Sequence, residues 1–348
     1  MPLTVLSIGY TLAPIGPDAV GGAEQVLSAL DRALVDAGHH SIVVGSLGSQ
    51  VAGTLVATAL VPPRITERER NRIGERKRQA VARALAEFPV DVAHSHGVDF
   101  ADHLPETDVP TLVTLHLPRD FYPAGAVPGE RPRTWFNCVS ASQRRSFLPF
   151  RSMLPEIENG VPFDRLQARH ARRDFALCLG RICPEKGFEY ALDAARLAGA
   201  PLLIGGAVFP YDAHRHYFMT EIEPRLGARA RFLGPLGWAR KRRLLTAARC
   251  LLVPSLAAET SSLVAMEAMA CGTPVIASPS GALADIVDPE VTGYLVADIG
   301  EMAQAIGTSV AIDRERCREQ ARRRFSQERM VAGYFALYRR LAAAQVST

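Results

Sequence analysis

Four patterns are missing from the 348-residue sequence: a Cys-x-x-Cys pair, an Asp-x-Asp, a Gly-x-Gly-x-x-Gly fingerprint and a long apolar run. Each absence excludes a class. Cys138, Cys178, Cys183, Cys250, Cys271 and Cys317 are scattered, which fits neither a zinc site nor a disulfide framework and reads as core thiols in a reducing cytoplasm. Without Asp-x-Asp, a divalent ion held by that motif on a diphosphate has no support, so no metal ligand is assigned and cationic side chains take that task. The missing glycine fingerprint, with no acid following at the expected spacing, disfavours a pyridine-nucleotide oxidoreductase. No apolar stretch reaches the roughly 18 residues of a membrane span, and "MPLTVLSIGY" enters a strand-like run without a basic leader. A soluble, cytoplasmic protein is expected. The net charge of +4 is mild for this length and does not call for nucleic acid, although it suits an anionic ligand or membrane surface.

What is present is an alternation of short apolar runs with helical periodicity, the pattern of α/β parallel sheets covered by helices on both faces. "TVLSIGY" reads as a buried strand. "AEQVLSALDRALVDAGHH" then places Val26, Leu27, Leu30 and Leu34 on one helical face, with Gly38 as the stop. "SIVVGSL", "DVAHSHG", "TLVTLHLP" and "TWFNCVSAS" continue as strands of the same sheet. The polar, turn-rich text of residues 155–172 reads as an interdomain connection, and "FALCLG", "PLLIGG", "ARFLG", "CLLVPS", "TPVIAS" and "GYLVA" form a second sheet. The chain therefore reads as two doubly wound domains with a cleft between them.

Chemistry concentrates in the second half. "PSLAAETSSLVAMEAMACGTPV" runs from a strand end through a polar turn into an apolar helix that Gly272 can terminate. Ser261 or Ser262 is the natural N-cap, and the helix start, with Leu263, suits an anion. Were all eight steps from Glu259 to Glu267 helical, their α-carbons would stand about 12 Å apart along the axis. That is too far for a paired acid and base, which retaining glycosidases hold at about 5–5.5 Å, but it suits two hydroxylated ends of one elongated ligand. In "LGRICPEKGFEYALDAA", Arg181 follows a strand and Lys186 lies in the next turn, so both can converge on a diphosphate. Gly21 and Gly22 of "GPDAVGGAEQ" precede the first helix, where a ligand can approach the backbone closely. His116 closes a strand, placed to bond a hydroxyl or take its proton, whereas His94 and His96 read as a structural histidine and a rim residue.

Taken together, "GGAEQVLSAL", "DVAHSHG", "VTLHLP", "VSASQR", "ENGVPFDRL", "GRICPEKG", "PSLAAETSSLVAMEAMACGTPVIAS" and "VTGYLV" resemble the retaining glycosyltransferases of family four, whose E-x7-E signature matches Glu259 and Glu267. Within that family the sequence is similar to glycosyltransferases of orthosomycin antibiotic pathways. The resemblance covers nearly the whole chain. It implies the GT-B architecture, with an acceptor-binding Rossmann-like domain over 1–168, a nucleotide-sugar-binding one over 169–325, and a helix over 326–348 packing back on the first. It also implies a donor, a UDP-sugar being favoured, with no further cofactor, and a small-molecule or oligosaccharide acceptor. Arg181 and Lys186 would bind the diphosphate with amides around Ser262 and Leu263. Glu259 would hold the sugar, Glu267 the ribose, and His116 would stand beside the sugar, with Gly21 and Gly22 bordering phosphate and acceptor. Thr260, Ser261 and Ser262 depart from the family's usual small residues, as Ala282 and Asp285 depart further on. An epimerase of the same architecture and a non-catalytic nucleotide-sugar binder are the alternatives. The arginine-rich segment 64–85 leaves a peripheral contact with an anionic membrane open, although Glu67, Glu69 and Glu75 fit a solvated helix better. The loop over 116–134 reads as a cover for the acceptor.

Overall fold

The computed structural model describes residues 2–62, 65–104, 107–127, 131–168 and 170–346, the last three by backbone only. Arg64 of the arginine-rich segment and residues 128–130 of the acceptor loop lie outside the described residues. Two compact units divide the chain: residues 1–158 with 329–348, and residues 159–328.

In the first unit the elements follow as β1 (Thr4–Ile8), α1 (Gly22–Asp36), β2 (His40–Gly45), β3 (Thr54–Ala57), α2 (Glu67–Glu87), β4 (Val92–Ser95), β5 (Thr111–Leu115), β6 (Thr134–Cys138) and α3 (Ala141–Arg145). The strands make one parallel sheet in the order β3-β2-β1-β4-β5-β6. β1 and β5 are buried at every position because helices cover both faces. β3 escaped the sequence reading: "TLVA" is short, half exposed and at the sheet edge, so it carries little apolar signal. Thr66 and Glu69 close a capping box at the start of α2. That helix is not solvated all round, since Ile73, Lys77, Val81 and Ala84 face inward and buried Lys77 pairs with Asp99 at 3.1 Å.

The second unit contains α4 (Phe163–Leu166), β7 (Ala176–Leu179), α5 (Phe188–Leu197), β8 (Leu202–Gly205), α6 (Asp212–Tyr217), β9 (Ala230–Phe232), α7 (Trp238–Ala247), β10 (Cys250–Val253), α8 (Leu263–Ala270), β11 (Val275–Ala277), α9 (Leu283–Ile286), β12 (Gly293–Leu295), α10 (Ile299–Thr308) and α11 (Arg314–Phe325). Its parallel sheet runs β12-β11-β10-β7-β8-β9. Alternation sorts the strand side chains into two cores. Leu177, Leu251 and Val275 pack with α8 and α11 on one face, and Cys178, Leu252 and Ile276 with α5 and α10 on the other. α12 (Gln327–Val346) sends Met330, Tyr334, Leu337, Tyr338 and Leu341 into the first unit's core, against Val5, Val92 and Leu112. All six cysteines are buried and free.

In each sheet the strand order reverses beside the unit's first strand, between β1 and β4 and between β7 and β10. Ligands of open α/β sheets bind beyond the carboxyl ends of the strands at such a switch point.

Candidate functional site

The loops leaving β7 and β10 are stitched together. Leu256 donates its amide to the Glu185 carbonyl at 2.9 Å. Gly187 has φ +61°, and a β-carbon there would run into the Pro254 carbonyl oxygen. The glycine of "PEKG" therefore serves both a left-handed turn and a close backbone approach, and it sets Lys186 against the loop that carries Glu259.

Lys186 Nζ lies 2.5 Å from Glu259 Oε1, and Ser255 donates its hydroxyl to the same oxygen at 2.5 Å. The Glu259 backbone is also held. Ala282 donates to its carbonyl at 2.7 Å, and Gly281, at φ +59°, comes so near that an added β-carbon would stand 2.6 Å from the Glu259 nitrogen. Glu259 itself is in the loop, because α8 begins only at Leu263. The turn before a helix that the sequence suggested is what forms, and four of the eight steps to Glu267 are loop.

Ser262 takes the N-cap position, but its hydroxyl makes no capping bond, and the buried Ser261 Oγ has no partner among the described residues. Neither serine supplies the side-chain cap that the sequence suggested. Without it, amides at the α8 start remain suited to an anion. The other end of α8 is closed by Gly272 at φ +71° and by two arginines of α11. Arg314 donates to the Gly272 carbonyl at 2.9 Å and to that of Cys271 at 3.2 Å, and Arg318 donates to the Ala270 carbonyl at 3.2 Å. Cations at a helix C-terminus oppose its dipole favourably. Together with the glycine turn they fix the direction in which the α8 start points.

Glu267, one turn into α8, is 4% exposed, and its Oε1 accepts from Lys241 Nζ at 2.6 Å. Burial raises the pKa of this carboxyl and Lys241 pulls it back down. The Lys241 ammonium also lies 4.9 Å from the centre of the Trp238 ring, and the Arg165 guanidinium 4.6 Å from it. Arg181 is exposed just beyond β7, its guanidinium 5.6 Å from the Phe209 ring centre. The second unit thus brings Lys186, Glu259, Ser262, Leu263 and Glu267 onto one connected set of loops and helix starts, with Arg181 on the adjoining turn.

Gly21, Gly22 and His116 belong to the first unit. Gly21 is the N-cap residue of α1 with an ordinary φ of −83°, so conformation does not demand a glycine. A β-carbon there would meet the carboxyl end of the Glu24 side chain, which would have to shift. His116 Nε2 stands 3.0 Å from Nδ1 of His96. Lost solvation pushes the His116 pKa down to about 3, so the ring is neutral near pH 7. His94 is fully buried between the Tyr338 hydroxyl and Thr114 Oγ1, each at 2.7 Å, as a structural histidine should be. His96 is not a rim residue. At 3% exposure it is internal and contacts His116 directly, because β4 and β5 are paired neighbours and these histidines follow their ends.

Three participants were missed from sequence. Ser255 lies four residues before Glu259, Gly281 clasps the Glu259 backbone, and Lys241 hides in the run "RKRR". The signal for Lys241 was its place on one helical face with Trp238 and Leu245, where a cation in apolar company needs an acid.

Two family models match the chain in succession: Glycosyltransferase Family 4 over residues 20–165, and Glycosyl transferases group 1 over residues 173–311. Among curated relatives, D-inositol 3-phosphate glycosyltransferase of Mycolicibacterium paratuberculosis is 36% identical over 155 residues, 42% of this chain and 35% of that protein. The Mycobacterium tuberculosis protein of the same name is 36% identical over 133 residues, 37% of this chain and 28% of its own. The match thus spans about a third of the relatives' length. Among solved structures, AviGT4, a glycosyltransferase involved in avilamycin A biosynthesis, aligns over 99% of both chains with TM-score 0.73 and 24% identity. Sucrose-phosphate synthase from Thermosynechococcus elongatus aligns over 98% of this chain and 100% of its own, with TM-score 0.78 and 22% identity. Anabaena Alr3699/HepE, in complex with UDP-glucose, aligns over 99% and 100%, with TM-score 0.74 and 18% identity. The architecture is that of the GT-B glycosyltransferases.

Proposed function

We propose that this GT-B chain is a glycosyltransferase that moves a sugar from a nucleotide diphosphosugar to an acceptor hydroxyl, with retention of anomeric configuration. The observation that carries the reading is the Lys186–Glu259–Ser255 cluster at the start of α8, with the Glu267–Lys241 pair one turn further along. A diphosphate suits the first end, where the ammonium of Lys186 has three donors and can hold Glu259 and a phosphate oxygen together. Arg181 and the α8 amides add to the field. A ribose suits the second end, where Lys241 favours an ionised Glu267 that accepts from hydroxyls. Glu259, fixed on three sides, retains acceptor capacity for the donor sugar.

The nucleoside diphosphate leaves as the anomeric bond breaks, the acceptor oxygen bonds to the same carbon, and the acceptor's hydroxyl proton passes to the departing β-phosphate. Charge then grows on the β-phosphate. Preorganised donors in such a place contribute about 3–4 kcal/mol each, and Lys186 and Arg181 supply them without a divalent ion on the diphosphate. His116 of the first unit, held neutral, is suited to hydrogen bonding rather than to taking a proton. Retention follows from the family resemblance. A uridine nucleotide is the favoured donor, supported by the UDP-glucose complex of a neighbour of the same fold. The acceptor class, an antibiotic intermediate or another glycoconjugate, rests on the orthosomycin-pathway resemblance.

The test is nucleotide release from a panel of UDP- and GDP-sugars, with and without hydroxylated acceptors. Slow release accelerated by one acceptor, with the product anomer matching the donor, is expected. Isomerised donor released without acceptor selects an epimerase, and binding without turnover selects a binder.

A further inference from the structure

Beyond the donor site, we propose that Cys183, Glu185 and His214 form a Zn²⁺ site that ties the turn after β7 to α6. Their ligand atoms lie within 4.8 Å of one another, although the residues come from two separate segments. Cys183 is fully buried and His214 nine-tenths buried, while Glu185 stands on the exposed turn. His214 Nδ1 is a buried ring nitrogen with no hydrogen-bond partner among the described residues. A buried polar atom left so costs about 1–3 kcal/mol, a cost that a metal ion bound through that nitrogen removes.

The donor set indicates which ion. A thiolate, a carboxylate and a neutral imidazole carry two negative charges and offer S, O and N ligands, which suits tetrahedral Zn²⁺ with one position left for water. Magnesium and calcium prefer oxygen throughout. The ring is already oriented: His214 packs edge-on against Tyr211 with centroids 5.1 Å apart, and Tyr211 packs in turn against Phe209. Cys183 Sγ sits 3.6 Å from the Arg181 carbonyl oxygen, so deprotonation on metal binding releases that contact. Two neighbours on the same turn, Arg181 and Lys186, are the proposed diphosphate ligands. Zinc at this place is a clamp on the segment that presents them and takes no part in sugar transfer. No Cys-x-x-Cys marks the site, because the single thiol is joined by an acid two residues on and by a histidine of another element.

The full chain, stripped with chelator, is titrated with Co²⁺ and then Zn²⁺, with zinc affinity read by competition against a chromophoric chelator. One equivalent should bind, Co²⁺ giving a thiolate-to-metal absorption band that Zn²⁺ displaces. C183S should abolish the band, and H214Q should weaken zinc on the order of 100-fold or more, beyond the 10- to 100-fold typical of losing an outer-shell partner. E185Q, on an exposed turn that tolerates substitution, should also weaken binding, and it decides the matter if C183S does not fold. H216Q, at an exposed histidine of the same helix, should bind as the wild type does. The proposal is overturned by absence of the thiolate band, by E185Q and H214Q binding zinc at wild-type strength, or by H216Q weakening it as much as H214Q.

Discussion

Replacing Lys241 by methionine keeps the stem and removes the charge that faces Glu267. The carboxyl is 4% exposed, so it is left buried with its cation gone. Breaking a buried pair from one side costs about 3–5 kcal/mol. Lys241 is one-fifth exposed and the acid can protonate, so about 2–3 kcal/mol at pH 7.5 is the discounted expectation. For a unit of this size that lowers Tm by roughly 4–12 °C. The sign of the pH dependence follows from linkage. Burial raises the Glu267 pKa, so its burden on stability appears as pH rises through that raised value, and removing Lys241 raises it further. The K241M deficit should therefore be large at pH 7.5 and shrink at pH 5. The same variant should weaken nucleoside diphosphate binding at pH 7.5, because a neutral Glu267 is a poorer acceptor for ribose hydroxyls. Melting curves at the two pH values and a nucleotide titration read this out. A K241M chain that melts with the wild type at both values refutes the reasoning.

Three further outcomes are expected. E259Q should bind nucleoside diphosphate within a few-fold of wild type while transfer falls by about two orders of magnitude, since Glu259 is assigned to the sugar and not to the nucleotide; equal losses in both would contradict that division. G281A forces a β-carbon onto the Glu259 backbone at a positive φ, at a cost of about 1–3 kcal/mol, and should lower turnover more than it lowers Tm implies; unchanged turnover would separate Gly281 from the site. Finally, His116 has its pKa depressed to about 3, so stability present above pH 6.5 is lost as pH falls toward 3, about 2 kcal/mol of it by pH 5. Urea denaturation of H116N should be correspondingly less pH-dependent, and no inflection between pH 5 and 8 in the wild-type rate profile should disappear in H116N.

What could be read from the residues was whatever depends on local pattern. Buried strands such as "TVLSI" and "CLLV" announce themselves by continuous apolar text, and α1 by the spacing of Val26, Leu30 and Leu34. β3 did not, because an edge strand half in solvent carries little of that signal. Site residues were legible where they interrupt such a pattern, as Glu267 does among alanines and methionines. Lys241, Ser255 and Gly281 were not, because each becomes informative only once folding brings its segment against a known acid. The serines before α8 show the opposite failure: their type promised a side-chain cap, and the turn geometry at Ser262, φ −134° and ψ 87°, carries none. His96 was misplaced for a related reason, since it packs against His116 at the end of β5, twenty residues on in sequence.

Under the proposed function, Arg181, Lys186 and the α8 start hold a diphosphate whose ribose reaches Glu267. Calorimetric titration of UDP, GDP, ADP and TDP into the wild-type chain, K186A and R181A tests it most directly. One nucleotide should bind well above the others, and each variant should lose at least about tenfold, as expected when a charge-assisted hydrogen bond worth about 1.5–3 kcal/mol is removed. Binding of that nucleotide with undiminished affinity by both variants, or no binding of any by the wild type, would contradict it.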